Sequence, residues 1–340
     1  MHKERFRKIL DSALEGWAPG REDCLYLLSF TPESLQSAII CAVADTISRK
    51  RFKNRAVLLG QIGVEAAPCP GKCKFCSFGQ GHTKIESSSL EQNELRNHTY
   101  ELTAGGDLFA LFLMGMHDIN IDRLLETIDT VRSVMPAKTR LVVNIGDFTL
   151  AQARILREAG VDGAYHVLRL REGIDTALDP EQRKATIKNI TDAGLDWYYC
   201  CEPIGPEHTD VELVDQIFLG VELGCFQHAA MRRVYLPNSP LAHYGQITER
   251  RLAQVVAVVT LASLASPNTK SIAVHEPNML GLIAGANSVY AEAGSNPRDN
   301  ERETSKNRGR NTTDCKRMFF ETGFSNLLLG DGSTVSLTCV

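Results

Sequence analysis

The sequence predicts an α/β protein whose parallel strands close into a complete (β/α)8 barrel of the TIM type. Short β-rich runs alternate with helical patterns over most of the chain, and this alternation is typical of parallel sheets. The chain has 340 residues, a length that fits one such barrel with additions at both ends. A doubly wound parallel sheet is the alternative architecture that the same alternation allows.

Eight strand candidates and six helical segments make up the predicted barrel. The strands are predicted at 56–62, 108–114, 140–144, 163–168, 196–202, 226–234, 271–274 and 285–289. The helices are predicted at 89–104, 121–134, 150–159, 180–193, 211–223 and 248–264. Glycine follows several of these helices, as is common where an α-helix ends, at Gly105, Gly160, Gly194 and Gly224.

Additions to the barrel are expected at both ends of the chain. The predicted parts are an N-terminal helical extension at 1–50, the barrel at 51–290, and a C-terminal loop and cap at 291–340. The stretch 291–313 is polar and charged and contains glycine and proline, which predicts a flexible loop or lid. A short helix at 315–322 and a strand-like piece at 325–329 follow this loop.

The composition and charge of the chain exclude several classes of protein. With 43% hydrophobic and 23% charged residues, the chain has an ordinary globular composition, which excludes disorder for most of it. The formal net charge of -4 gives no reason to expect a nucleic acid or an anionic membrane as partner. The N-terminus lacks the apolar core of a signal peptide, and the most apolar stretch, 252–266, is too short to span a bilayer. We therefore expect a cytoplasmic protein.

Three of the ten cysteines form a C-x3-C-x2-C motif at Cys69, Cys73 and Cys76, directly after the first predicted strand. In a (β/α)8 barrel this end of the strands carries the active site. Three thiolates would leave one iron of a [4Fe–4S] cluster without a protein ligand. A structural zinc site would instead need a fourth ligand, for which His82 and Cys200 are the candidates. A chance grouping of cysteines is the remaining alternative.

With Phe75 before its third cysteine, this motif resembles the signature of radical S-adenosylmethionine enzymes. Residues 284–288 and 186–207 are similar to stretches of biotin synthase and its relatives, whereas 165–171 resembles the hydrogenase-maturation and methylornithine-synthase branch. The resemblance implies a [4Fe–4S] cluster and S-adenosylmethionine as cofactors. It implies reductive cleavage to a 5′-deoxyadenosyl radical, a flavodoxin- or ferredoxin-type reductant and anaerobic chemistry.

The same resemblance assigns roles to individual residues. Cys69, Cys73 and Cys76 match the cluster ligands, and Phe75 matches the aromatic residue beside the adenine. The residues that match contacts to the rest of S-adenosylmethionine are Gly115 for the methionyl amino group, Asn144 and Arg169 for its carboxylate, and Ile204 for the adenine. The segment 105–107 also resembles the glycine-rich contact, but it precedes the strand and is better explained as a helix stop.

Polar side chains near the predicted strand ends are candidates for substrate binding. This ring consists of His117, Asp118, Asn144, His166, Arg169, Glu202, His275 and Glu276, and it suits an amino acid or a similarly charged small molecule. The candidates for catalysis are His166, Glu202, His275 and Cys200. For both histidines a buried structural role is an equal alternative. Cys200 and Cys201 point to opposite faces of their strand, so one of them faces the barrel interior.

Sulfur insertion of the biotin-synthase type is disfavoured by the sequence. The resemblance implies a second cluster in sulfur-inserting relatives, but Asn144 stands where they carry a cysteine. We therefore predict a radical S-adenosylmethionine enzyme that abstracts hydrogen from a small substrate, with amino-acid-like molecules among the candidates. Rearrangement, fragmentation or a carbon–carbon bond change in a cofactor or natural-product pathway would follow.

Two alternatives to this function stay open. They are a sulfur-inserting enzyme and a non-catalytic iron–sulfur or zinc scaffold or sensor. The sequence also leaves open whether Cys200, Cys201, Cys315 or Cys339 binds a second cluster, whether S-adenosylmethionine is consumed, and what the oligomeric state is.

Overall fold

A computed structural model describes residues 2–338. Its strands are β1 (Arg55–Gly63), β2 (Glu65–Ala66), β3 (Ser88–Ser89), β4 (Ala110–Met114), β5 (Arg140–Asn144), β6 (Gly163–Tyr165), β7 (Asp196–Ile204), β8 (Gln227–Arg232), β9 (Ser271–His275), β10 (Ser288–Gly294), β11 (Asn326–Leu328) and β12 (Thr334–Ser336). Eight of them, β1 and β4 to β10, pair in parallel, and β10 returns to β1. The predicted closed barrel is therefore confirmed, and the doubly wound alternative is wrong.

The helices surround this barrel. They are α1 (His2–Leu14), α2 (Arg21–Leu28), α3 (Leu35–Arg51), α4 (Gln92–Thr103), α5 (Ile121–Arg132), α6 (Leu150–Glu158), α7 (Pro180–Asp192), α8 (Asp210–Glu222), α9 (Glu249–Ala262), α10 (Met279–Leu282) and α11 (Thr312–Glu321). Short 3-10 turns lie at Ala242–Tyr244, Ser263–Ala265 and Thr304–Lys306. Among residues 2–338, no helix is both long and apolar enough to cross a membrane.

Local sequence signals begin the helices that follow the strands. The hydroxyls of Thr149 and Thr209 accept hydrogen bonds from backbone amides in the first turns of α6 and α8, and each forms a reciprocal capping box. Asn120 and Asp179 cap α5 and α7 in the same way, without the reciprocal bond. These caps set where each loop at the carboxyl end of the barrel gives way to a helix.

The lower part of the barrel is a packed aromatic core. The ring of Phe112 on β4 makes edge contacts with the rings of Tyr198 and Tyr290, each at 5.1 Å between centroids. Both tyrosines are fully buried. Because inward side chains fill this level, the space for a ligand lies above it, at the carboxyl ends of the strands.

The C-terminal part differs from the prediction at its start. Residues 291–294, expected to begin a loop, continue β10, because Ala291 to Gly294 pair with Gly60 to Gly63 of β1. The loop beyond them includes buried polar side chains. One of them is Asp299, which accepts hydrogen bonds from Thr304 and Asn307. Polar composition alone does not reveal such internal pairing. The division of the chain into three parts stays a prediction.

Two other helical expectations can be compared with the structure. The apolar stretch 252–266 includes most of α9, in which every residue from Leu252 to Ala262 is buried. This helix packs against α3 and against the strands β8 and β9. Gly106, with a φ of 63°, follows the end of α4, so the segment 105–107 is a helix stop, as expected.

Candidate functional site

The three motif cysteines lie on the loop between β2 and β3. The backbone turns tightly here, with hydrogen bonds from the Cys76 amide to the Cys73 carbonyl at 3.1 Å and from the Cys69 amide to the Phe78 carbonyl at 2.7 Å. A Cβ atom built on Gly71 would lie 3.5 Å from Sγ of Cys69 and 3.6 Å from Sγ of Cys73. The two thiols therefore lie beside the same short stretch of backbone.

Neighbouring loops hold this cysteine loop in place through backbone hydrogen bonds. The Ala177 amide, after β6, donates to the Gly71 carbonyl at 2.7 Å. The Lys74 amide donates to the Asp175 carbonyl at 2.9 Å, and the Ser77 amide donates to the Pro297 carbonyl at 2.9 Å. The cysteines are thus fixed relative to the loops that follow β6 and β10.

The motif thiols are unpaired, and burial and a nearby arginine act on the pKa of Cys73 in opposite directions. All cysteines that the structure describes are free, and burial raises the pKa of the Cys73 thiol to about 11. Arg169 acts in the opposite direction and favours the thiolate, the form that binds metal. Within residues 2–338 no three His, Cys, Asp or Glu side chains converge on the position of a single ion. A [4Fe–4S] cluster does not need such convergence, because its thiolates bind different irons.

Two cavities meet at the cysteines. One extends into the barrel, with about 700 Å³ of empty space when the part open to solvent is counted, and the other, with about 680 Å³ counted in the same way, lies beside the ends of β4 and β5. The residues that line both are Cys73, Cys76, Met114, Asn144, Arg169 and Pro297. A group bound by the thiols would therefore border both cavities.

Four of the five predicted cofactor-binding residues line these cavities. Phe75 lines the barrel cavity, Gly115 lines the second, and Asn144 and Arg169 line both. Ile204 lines neither cavity, although Pro203 lines the first. The Ile204 carbonyl accepts the Arg233 amide at 2.8 Å, and the contact of Ile204 with the adenine stays a prediction.

Arg169 is the best placed cation beside the cysteines. Its Nε lies 3.4 Å from Oε1 of Glu202, and its Nη1 lies 3.8 Å from Oε2 of Glu172. Burial disfavours the charge of Arg169, but the two carboxylates outweigh burial and raise its pKa. The guanidinium is therefore held as a cation at the junction of the cavities.

Glu202 and His275, both predicted candidates, lie in the wall of the barrel cavity. The hydroxyl of Tyr165 donates a hydrogen bond to Oε2 of Glu202. The His275 ring stacks on Tyr290 at 4.3 Å, and its Nε2 has no hydrogen-bond partner within residues 2–338. Burial lowers the pKa of His275, which keeps the ring neutral.

His166 is not part of the cavity, contrary to the sequence prediction. Its Nε2 lies 3.1 Å from Oδ1 of Asp147, behind the barrel wall, and burial lowers its pKa to about 3. The strand β6 ends at Tyr165, which points inward, so the next residue points outward. His166 is therefore a buried histidine within the fold, which is the alternative that the sequence left open.

The other predicted polar and cysteine residues divide between the cavities and the surrounding core. His117 lines the second cavity, whereas Asp118 is exposed. Cys200 is buried next to Tyr165 and Glu202 without lining either cavity. Cys201 faces the carbonyl of Leu213 on α8, so the two cysteines do face opposite ways.

Sequence reasoning missed the cavity residues Gln61 and Arg298, and also Glu292, which bonds to both of them but lines neither cavity. Gln61 on β1, Glu292 on β10 and Arg298 form a chain in which both Gln61 and Arg298 donate to Oε1 of Glu292. Gln61 and Glu292 are polar residues inside apolar strands, a signal that could have been found. Arg298 carried no such signal, because it lies in a charged loop. Cys315 is buried behind β10, and Cys339 lies outside the described residues.

Comparison with known proteins gives relatives in sequence and in fold. No family model matches the chain. Biotin synthase from Streptomyces avermitilis is 24% identical over 262 residues, which cover 74% of this chain and 66% of that protein. Biotin synthase from Desulfovibrio desulfuricans is 27% identical over 271 residues, covering 72% and 81%. The chain thus spans just under two thirds of the Streptomyces protein.

Solved structures share the fold at low sequence identity. The [FeFe]-hydrogenase maturase HydG superposes with a TM-score of 0.79 at 16% identity, covering 97% of this chain and 76% of that one. Methylornithine synthase (PylB) superposes with a TM-score of 0.78 at 16% identity, covering 93% and 96%. The chain is therefore similar in sequence to biotin synthases and shares its barrel with HydG and PylB, and together with the cysteine motif these relatives support the radical S-adenosylmethionine superfamily, in its biotin-synthase-like branch.

Proposed function

We propose that the chain is an enzyme that reductively cleaves S-adenosylmethionine at a [4Fe–4S] cluster and abstracts a hydrogen atom from a small substrate in the barrel. The observation that carries this proposal is the position of Cys73 and Cys76, which line both cavities. Cofactor and substrate could then occupy adjoining spaces with the thiols between them. A structural metal site would not need two adjoining cavities.

The cofactors of this family are a [4Fe–4S] cluster and S-adenosylmethionine, and the residues of the site fit them. When bound, they supply a 5′-deoxyadenosyl radical that removes a hydrogen atom from the substrate. The residues that would hold them are Cys69, Cys73 and Cys76 for the cluster, and Phe75, Gly115, Asn144 and Arg169 for S-adenosylmethionine.

Two of these side chains have the chemistry for a carboxylate. The guanidinium of Arg169 offers a planar fork of N–H donors, which suits the methionyl carboxylate. The Nδ2 of Asn144 donates a hydrogen bond to Sδ of Met114 at 3.3 Å, and a thioether is a weak acceptor. A carboxylate oxygen would be a stronger partner for this amide.

The barrel also offers the enclosure that radical chemistry needs. The cavity is bounded by aromatic rings below and by Pro297 and Arg298 of the loop after β10 above. Such a wall excludes water and side reactions from a reactive intermediate. The loop 295–311 would act as the lid that the sequence suggests.

The reaction class follows from the polar groups at the cavity wall. Glu202, His275 and Arg298 could orient a small charged molecule, and amino-acid-like substrates are among the candidates. Rearrangement, fragmentation or a carbon–carbon bond change would follow hydrogen abstraction, in a cofactor or natural-product pathway. A flavodoxin- or ferredoxin-type protein would supply the electron, and a cytoplasmic location stays a prediction.

Sulfur insertion is the alternative favoured by one observation, since the sequence relatives are biotin synthases. Against it, Asn144 occupies the end of β5, and Cys200 lies beneath Tyr165 rather than in the cavity wall. Iron well above four atoms per chain after reconstitution would support this alternative.

Formation of 5′-deoxyadenosine tests the proposal. The protein is reconstituted anaerobically with iron and sulfide, reduced with dithionite and incubated with S-adenosylmethionine and candidate substrates. We expect 5′-deoxyadenosine from the wild type and none above background from Cys73→Ala. Equal amounts from both proteins would refute the proposal, and metal binding without cleavage would favour a scaffold or sensor.

A further inference from the structure

Arg298 is a buried cation whose guanidinium is only partly engaged by strong acceptors. Its side chain is 10% exposed and lines the barrel cavity. The Nε atom donates to Oε1 of Glu276 at 3.0 Å, and Nη2 donates to Oε1 of Glu292. The contact of Nη1 is to the thioether sulfur of Met231, at 3.6 Å. Because a thioether is a weak acceptor, this side of the guanidinium has unused capacity for an oxygen ligand.

The guanidinium is held in place by a network of charges around it. Glu276 pairs with both Arg298 and Arg308, and Glu292 also accepts a hydrogen bond from Gln61. The Arg308 side chain donates in addition to the Arg298 carbonyl at 2.6 Å. These contacts fix Arg298 over the cavity, so little side-chain entropy would be lost when a ligand binds.

His275 adds a second polar group with an unused bonding position. It is 4% exposed, it lines the same cavity, and its Nε2 has no partner within the described part of the chain. A buried ring nitrogen without a partner is costly unless a ligand satisfies it. Arg298 and His275 are thus both at least nine-tenths buried, and both can make a further hydrogen bond. They line the same cavity from the loop after β10 and from β9.

We propose that Arg298 anchors a carboxylate of the substrate, with His275 as the second hydrogen-bonding partner. This inference rests on the proposed function, because it gives a substrate class to the cavity beside the cysteines. A carboxylate suits the site chemically, since its oxygen is a charged and therefore strong acceptor for the N–H groups of Nη1, whose present contact is the Met231 thioether. The carboxylates of Glu276 and Glu292 already offset the charge of Arg298 and Arg308, which disfavours a doubly charged phosphate.

The proposal can be tested by binding, without reductant and without turnover. The probes are 4-(trifluoromethyl)phenylacetate and the corresponding uncharged amide, followed by ¹⁹F NMR titration of the reconstituted protein. Saturating S-adenosylmethionine is present so that the Arg169 side of the cavities is occupied. We expect the wild type to bind the acid about tenfold more tightly than the amide, and Arg298→Gln to remove this preference.

Matched variants separate recognition from loss of folding. Arg298→Lys keeps the charge but not the fork, and we expect it to retain part of the preference for the acid. Arg140→Gln removes an arginine paired with Asp196 at the opposite end of the barrel, and we expect no change in the preference. Thermal unfolding is measured for each variant, and Arg298→Lys replaces Arg298→Gln if the latter does not fold.

Three results would overturn the inference. They are equal affinity for acid and amide in the wild type, an unchanged acid preference in Arg298→Gln or Arg298→Lys, and an acid preference that Arg169→Gln abolishes while the Arg298 variants keep it. Failure of the enzyme to cleave S-adenosylmethionine would be a separate outcome, because this titration requires no cleavage. The two proposals can therefore fail independently.

Discussion

Different interactions hold the residues at the two ends of the barrel cavity, the cysteine loop at one end and Arg298 at the other. At the cysteine end, backbone hydrogen bonds fix the loop, from Ala177 to Gly71 and from Ser77 to Pro297. At the other end, ion pairs between side chains fix Arg298, with Glu276 and Glu292 as its partners. The cysteine loop is therefore held mainly through its backbone, with the Lys74–Asp175 ion pair in addition, whereas the position of Arg298 depends on ion pairs between side chains.

This difference suits two different tasks. Backbone hydrogen bonds position the thiols without depending on the identity of the side chains nearby. Buried ion pairs give little net stability, because desolvation offsets their attraction. The charges at the arginine end are therefore better explained by recognition of a substrate than by stability of the fold.

The largest expected effect comes from crowding the cysteine loop. Gly71→Val would bring methyl groups against Sγ of Cys69 and Cys73 and against Leu178, whose Cδ2 lies 3.3 Å from a Cβ built at Gly71. We expect iron bound after anaerobic reconstitution to fall to about half of the wild-type value or less, because overpacking displaces the ligands. Iron analysis and the visible absorbance of the cluster measure this loss.

Gly20→Val is the matched control for this variant. Gly20 precedes α2 with a φ of -76°, and no atom lies within 4 Å of a Cβ built there. It should bind iron as the wild type does. Normal iron content in Gly71→Val would mean that the loop accommodates a side chain here without displacing Cys69 and Cys73.

A smaller effect is expected where the two ends meet, at Arg169. Arg169→Gln removes the guanidinium between Glu172 and Glu202, and we expect the affinity for S-adenosylmethionine to fall by about tenfold or more. Calorimetric titration of the reconstituted protein measures the change. Arg171→Gln is the control, because Arg171 pairs with Glu212 away from both cavities, and equal affinities in the two variants would remove Arg169 from the binding site.

The last prediction concerns the acid stability of the fold outside both ends of the cavity. Buried His166, beside Asp147 and Arg183, has a pKa of about 3, below its ordinary value of 6.5. The unfolded chain therefore takes up a proton below pH 6.5 that the folded chain refuses until about pH 3. Each such proton lowers the free energy of unfolding by about 1.4 kcal/mol per pH unit over this window.

His166→Gln removes this proton while keeping a polar partner for Asp147. Urea unfolding between pH 7 and pH 4.5 should show a weaker loss of stability on acidification than in the wild type. The control His243→Gln changes an exposed histidine and should leave the wild-type slope unaltered. Parallel pH profiles for wild type and His166→Gln would show that His166 titrates in the folded protein as it does in the unfolded chain.

Structural features that depend on residues close together in the sequence could be predicted. The strand–helix alternation predicted the barrel, and the spacing of Cys69, Cys73 and Cys76 predicted one loop beside the cavity. Both depend on residues close together in the chain, where periodicity and loop geometry act directly. Asn144 and Arg169 stood out because each lies at or just beyond the end of a predicted strand, and the family resemblance then gave them their roles.

Features decided over long distances in the chain could not be predicted. Arg298 enters the cavity because Glu276 and Glu292, on other segments, hold it there. His166 was misplaced because β6 ends three residues earlier than predicted, at Tyr165, and alternate side chains point to opposite faces. Neither the ion pairs of Arg298 nor the end of β6 can be predicted from the composition of the segment in which it lies.

The central claim is that the three cysteines hold a [4Fe–4S] cluster with one iron open to S-adenosylmethionine. Electron paramagnetic resonance of the dithionite-reduced, reconstituted protein tests it most directly, with spectra recorded before and after S-adenosylmethionine is added. We predict a [4Fe–4S]+ signal whose g-values shift on addition in the wild type and which is lost in Cys73→Ala. A reduced cluster whose spectrum is unchanged by S-adenosylmethionine would contradict the account.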